Sequence, residues 1–83
     1  MKKYYIDNLG CFHIKYLKIE DDPNDEYYHT LTFLIKSILL KEADPFFRKG
    51  EFVSMVVPKK QNHIFEFEKD SEALLLYEVM KNE

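Results

Sequence analysis

The stretch from Asp22 to Lys41 constrains this chain most, because a start signal and a periodic apolar pattern coincide there. Asp22-Pro23-Asn24-Asp25 offers an Asp at a helix N-cap, a Pro at the first helical position and an acid three residues after the cap. Glu20, Asp21 and Glu26 add negative charge where a helix dipole is positive. Tyr27, Leu31, Leu34, Ile35 and Ile38 then recur at the 3.6-residue period. The pattern predicts a helix over residues 23–41, with Tyr28 and Leu39 widening the stripe that meets a sheet. Its other side is not polar. Phe33 and Leu40 fall there, beside His29 and Lys36, whereas a surface helix should be polar on that side. Either the chain itself covers this second stripe, through Phe46-Phe47 or a terminal helix, or a partner does.

The flanking segments read as strands. Residues 3–7 and 11–19 form a hairpin around Asn8-Leu9-Gly10. Phe12, Ile14 and Tyr16 alternate with Cys11, His13 and Lys15, and the phase changes at Leu17 and Ile19. That change suggests a bulge or a strand covered on both faces. Asp44-Pro45 starts a turn through Phe46-Phe47-Arg48-Lys49 that Gly50 stops. Residues 51–57 are a strand, Pro58 to Asn62 a hairpin loop, and residues 63–68 a strand with Phe65 and Phe67 inward. From Ser71 to Asn82, capped by Asp70 or Ser71, the Ala73, Leu76, Tyr77 and Met80 stripe and the abundance of Glu, Ala, Leu and Lys favour helix over a buried strand. The expected fold is therefore α+β, an antiparallel sheet of about four strands in the order β-β-α-β-β-α. Its 83 residues make one domain, 1–83.

Composition narrows the function. The net charge is −3, and eleven of the twelve basic residues are Lys, with Arg48 the exception. Phosphate-reading surfaces usually recruit Arg for its planar fork, so nucleic acid is a poor match. A lone cysteine, Cys11, points to a reducing compartment. Asp7 sits where a signal peptide needs its apolar run, and no apolar stretch approaches membrane-spanning length. The expectation is a cytoplasmic chain without membrane contact. Its richness in Lys, Asn, Ile, Tyr and Phe fits a low-GC genome, such as a bacterium or its phage.

No constellation carries chemistry. Asp22, Asn24 and Glu26 mimic the first ligands of a calcium loop, but Tyr27 and Phe33 stand where that loop needs Gly and Glu. Cys11, His13 and His63 lack a fourth zinc ligand and a diagnostic spacing. Ser37, Ser54 and Ser71 sit in no nucleophile elbow. Glu66 and Glu68 occupy the outer face of a strand, away from any pocket. No catalytic residue, metal or cofactor is expected. The sequence points instead to a non-enzymatic protein-binding module, a small regulator or inhibitor of the kind phages and mobile elements encode, acting by docking on a larger protein. Its expected contacts are the acidic corner of Glu20, Asp21, Asp22, Asp25 and Glu26 with Tyr28, which steers onto a basic patch, and the Phe33/Leu40 stripe as apolar anchor. Homodimerisation through that stripe is a variant. The alternative is a nucleic-acid-binding module using the Lys59-Lys60 loop and the sheet aromatics.

Overall fold

The computed structural model describes residues 1–42 and 47–83. It is an α+β fold of five antiparallel strands followed by one helix: β1 (Lys2–Asp7), β2 (Gly10–Asp21), β3 (Tyr28–Lys41), β4 (Phe52–Pro58), β5 (Ile64–Phe67) and α1 (Asp70–Lys81). The strands lie in the order β4-β3-β2-β1-β5. The expected β-β-α-β-β-α order and four strands are corrected to β-β-β-β-β-α. The turn expected from Asp44-Pro45 through Phe46 lies outside the described residues.

The long central helix expected over residues 23–41 is a strand. Leu31, Phe33 and Ile35 alternate with Thr30, Thr32 and Leu34, and the first three are the buried ones. Tyr28, Thr30, Thr32, Phe33, Ile35 and Ile38 are residue types that suit a pleated, half-buried surface. Asp22-Pro23-Asn24-Asp25 is a β-turn rather than a helix start. The Asp25 N–H donates to the Asp22 carbonyl at 3.0 Å, and the Asn24 N–H donates to the Asp22 carboxylate at 2.9 Å. An Asp before a Pro serves a turn as well as a cap, because its carboxylate accepts from the backbone two residues on in either setting.

The β1–β2 hairpin is as expected, and of the two readings of the phase change at Leu17 and Ile19 the structure gives the bulge. Lys15 pairs with Leu34 and Lys18 with Thr32, so β2 spends one residue more than β3 between those pairs. Tyr16 takes up the difference at φ 56°. A left-handed backbone costs a bulky residue about 1–2 kcal/mol, while Asn tolerates it. Tyr16 is 72% exposed, so its ring contributes little packing. Tyr16→Asn is therefore expected to stabilise the fold by about 1 kcal/mol, raising the melting temperature by roughly 4–8 °C. A calorimetric scan that shows a fall instead would mean the ring has a packing role.

The sheet is strongly curled. Flat, its edge strands β4 and β5 would lie about 19 Å apart. Only residues 59–63 join them, a reach of about 20 Å when fully extended. Yet this connection contains a turn, with the Gln61 N–H donating to the Pro58 carbonyl at 3.2 Å. Curling also brings Tyr5 of β1 against Phe33 of β3, with ring centroids 5.1 Å apart across the intervening strand. The concave face holds one core cluster: Tyr5, Phe12, Ile14, Leu31, Phe33, Ile35, Phe47 and Val57. Phe47 closes it edge-on to Phe12 at 4.7 Å. The segment expected to be a β4–β5 hairpin loop instead crosses from one edge of the sheet to the other.

The convex face carries the second cluster, in which Ala73 and Tyr77 of α1 pack on Tyr4, Ile6 and Cys11. Leu76 and Met80, the rest of the expected helical stripe, join it, as do Phe65 and Phe67. The helix start differs from expectation. Lys69 holds the N-cap position without a side-chain bond, and Asp70 instead accepts the Tyr4 hydroxyl at 2.6 Å. That bond, with Lys2 nearby at 3.6 Å, holds the Asp70 carboxyl below its usual range. At the other end Glu42 accepts from Tyr77 at 2.5 Å and from Lys81 at 2.7 Å. Two carboxylate–tyrosine bonds thus tie α1 to the sheet. No helix is long and apolar enough to cross a membrane among the described residues.

Candidate docking face

Helix α1 covers only the β5–β1 side of the convex face and the adjoining ends of β2 and β3. The other wing is bare. Its side chains follow from the register: partners across a ladder share a face, and this face is opposite Leu31, Phe33 and Ile35. The rows are Phe52–Leu34–Lys15, Ser54–Thr32–Lys18, Val56–Thr30–Glu20 and Pro58–Tyr28. Phe52, Val56 and Tyr28 are 63%, 67% and 46% exposed. Thr32 and Ser54 bond to each other through their hydroxyls at 3.2 Å. A rigid sheet thus presents aromatic and branched side chains around a polar centre.

The acidic corner lies at one end of this wing. Asp25 accepts the Tyr27 and Tyr28 N–H groups at 2.9 and 3.0 Å, which holds its carboxyl below the usual range. Asp21 lies 3.6 Å from both the His29 ring and the Lys59 ammonium. Lys59 also donates to the Asp25 carbonyl at 3.0 Å. Asp21, Asp22 and Asp25 therefore shape the corner, while Glu26 lines a shallow recess with Tyr27, Tyr28, Pro58 and Lys60. Glu20 faces the wing beside Lys18, 3.8 Å away. The five acids and Tyr28 lie at one end of β2 and β3, with Asp21 on the face opposite Glu20 and Tyr28.

The structure separates Phe33 from Leu40. Phe33 is fully buried on the concave side, and Leu40 is half-buried in the convex cluster opposite Cys11. They share no stripe, and neither is a surface anchor. The cover is internal, from the curled sheet and from α1.

A basic groove, invisible in the sequence, borders the wing. Lys2, Lys15, Lys36 and Lys49 converge there with His13, Ser37 and Asp70. These residues are scattered along the chain and meet only because β1, β2 and β3 lie side by side. Burial, reinforced by the neighbouring Lys2, Lys36 and Lys15, holds the His13 imidazole below its usual value against the opposing pull of Asp70. The Lys59-Lys60 loop is a weaker cation site, since Lys59 is tied to Asp21 and the Asp25 carbonyl.

Other candidate chemistry disperses. Cys11 is buried under α1, and burial together with Asp70 pushes its thiol up to about 11, which leaves it protonated at neutral pH. His13 shares its face, packing on Tyr4, whereas His63 packs on Tyr5 and lies within 3.3 Å of the Ile6 carbonyl. Among the described residues no three His, Cys, Asp or Glu side chains converge on a metal position. Compared with protein-family models, curated proteins and solved structures, the chain matches none.

Proposed function

We propose that this chain is a non-enzymatic protein-binding module, a small regulator or inhibitor that docks on a larger protein through its bare convex wing. The supporting observation is the exposed set Phe52, Val56 and Tyr28, carried on a rigid sheet and flanked by an acidic corner. Exposed apolar patches on otherwise charged small proteins mark interaction sites, and aromatics at such patches carry much of the binding energy. Glu20, Asp22 and Glu26 steer the wing toward a basic partner, which raises the association rate more than the affinity.

The test compares wild type with Phe52→Thr/Val56→Thr, a pair that keeps strand propensity and removes the apolar contacts. Wild type immobilised in host lysate should retain a protein that the double variant binds at least about 30-fold more weakly, the loss of a hot spot worth about 2 kcal/mol. Both should show the same circular dichroism. Equal retention by the two, or none by wild type, overturns the reading.

The basic groove supports one other reading, nucleic-acid binding through Lys2, Lys15, Lys36 and Lys49. It requires affinity that falls steeply as salt rises, and a chain that shifts neither DNA nor RNA at low salt removes it.

A further inference from the structure

The two edges of the sheet are built differently. β5 has four residues, carries Glu66, and is followed at once by Glu68 and the helix. Short, charged edges resist pairing with other chains. β4 has seven residues, Phe-Val-Ser-Met-Val-Val-Pro, with no charge among them. Its inner ladder fixes which backbone groups face outward. The Ile35 N–H donates to the Glu51 carbonyl at 3.0 Å, and the Lys59 N–H donates to the Tyr27 carbonyl at 2.8 Å. Antiparallel pairs alternate between bonded and non-bonded. Val53, Met55 and Val57 therefore bond inward to β3, while the N–H and C=O of Phe52, Ser54 and Val56 point away from it. Among the described residues no strand lies on that side.

We propose that β4 pairs antiparallel with β4 of a second copy of this chain, about a two-fold axis at Ser54, joining two five-stranded sheets into one. Three observations select this occupant. First, the register is self-complementary. Ser54 faces Ser54, and Phe52 faces Val56 of the second copy. This pairs every outward N–H and makes about six hydrogen bonds, two for each directly opposed pair. A slip in one direction sets Ser54 against Val56 and Phe52 against Pro58, which has no N–H. A slip in the other sets Val56 against Gly50, whose N–H already donates to the Ile35 carbonyl at 2.8 Å. Second, charge matches across the axis. Lys49 lies at the Phe52 end of β4, and antiparallel pairing turns that end toward the Asp22–Glu26 turn of the other copy, which offsets the approach of Arg48 to Lys60. Lys59, which would face Lys49, is already held by Asp21 and the Asp25 carbonyl. Third, the two-fold axis runs through the sheet, so both bare wings stay on one side. The two acidic corners then stand at least about 30 Å apart, eight residues along the strands and three strand spacings across them, and the dimer offers its target two linked docking faces. The pairing rests on the backbone edge, although Phe52 and Val56 also meet across it, so the Ser54 variants, which leave both side chains in place, test it apart from the docking proposal.

A single strand edge buries less than a standard interface, so a reversible dimer is expected. Sedimentation velocity from about 1 µM to 1 mM should show a concentration-dependent monomer–dimer equilibrium. Ser54→Pro should raise the dissociation constant at least about tenfold and leave the fold intact, because it removes an outward N–H that the β3 ladder does not use. Ser54→Cys gives an independent readout. Directly opposed residues of a bonded antiparallel pair sit about 5.5 Å apart at Cα, within disulfide reach. Cys11, the natural cysteine, is buried and does not compete. Under mild oxidation Ser54→Cys should form a covalent dimer much faster than Lys60→Cys. Wild type that is monomeric at 1 mM, a dimer indifferent to Ser54→Pro, or equal crosslinking of the two cysteine variants overturns the pairing. A monomeric wild type that still loses its lysate partner through Phe52→Thr/Val56→Thr overturns the pairing alone.

Discussion

Phe33→Ala is expected to cost about 3–5 kcal/mol, the usual range for emptying a buried aromatic site. Phe33 has no solvent exposure and stacks on Tyr5 in the concave cluster. The cavity cannot collapse easily, because curling the sheet has already brought β1 and β3 together over that ring. A domain of this length has roughly 4–12 kcal/mol in total, so the variant should melt about 15–30 °C lower or fail to fold at 37 °C. Phe33→Leu, which keeps most of the volume, should lose far less. Urea denaturation followed by tyrosine fluorescence and circular dichroism measures both. The experiment also separates two placements of this residue. On the outer face of a helix Phe33 could be truncated at little cost to folding and only binding would suffer. A Phe33→Ala chain with near wild-type stability would put the ring back on the surface.

The residues of this segment are ambiguous between helix and strand for a physical reason. Between Tyr27 and Leu40 apolar residues are so dense that two periods fit. Tyr27, Leu31, Leu34, Ile35 and Ile38 satisfy the helical one, and Leu31, Phe33 and Ile35 satisfy the strand one. Length does not resolve the two, since β3 at fourteen residues is far longer than an ordinary strand. The signal that points to a strand is residue type: Thr30, Thr32, Phe33, Ile35 and Ile38 are branched at Cβ or aromatic. The Asp22-Pro23 start could not arbitrate, because caps and turns use the same side-chain acceptor. Elsewhere the pattern and the structure agree, the terminal helix by its residue types as much as by its period. The β1–β2 hairpin, the bulge before Leu17, the strand under Phe65 and Phe67, and the terminal helix with Ala73 and Tyr77 inward are all as expected.

The candidate face was legible only in part. The acidic corner is contiguous in sequence, so its residues stay at one end of the sheet, though Asp21 and Glu20 face opposite ways. The exposure of Phe52 and Val56 did not show, because β4 is apolar on both faces except at Ser54 and alternation gives no contrast. Strand order was equally hidden. That β4 is an edge depends on the connection through residues 59–63 crossing the sheet rather than turning back. The basic groove depends on three strand neighbours at once, and no spacing along the chain announces it.

The two glycines test the same curled sheet from another direction. Gly10→Ala is expected to cost at least about 3 kcal/mol, the range of substitutions that force a core out of register. A Cβ at Gly10 would overlap the Leu40 carbonyl oxygen and come within 2.8 Å of the Phe12 ring. The first obstacle is backbone and the second is a fully buried ring, so no flexible side-chain end can move aside. Relief requires parting β2 from β3 where Gly10 pairs with Lys41 and Cys11 with Leu40. That shift would also disturb the end of β3 from which Glu42 holds Tyr77 and Lys81. Gly50→Ala is the control. It has open space for a Cβ but sits at φ 83°, so it should lose only about 1 kcal/mol of backbone strain. Thermal melts of the two variants should therefore differ by at least about 8 °C in favour of Gly50→Ala. The reverse order would mean that β2 and β3 do not close over Gly10.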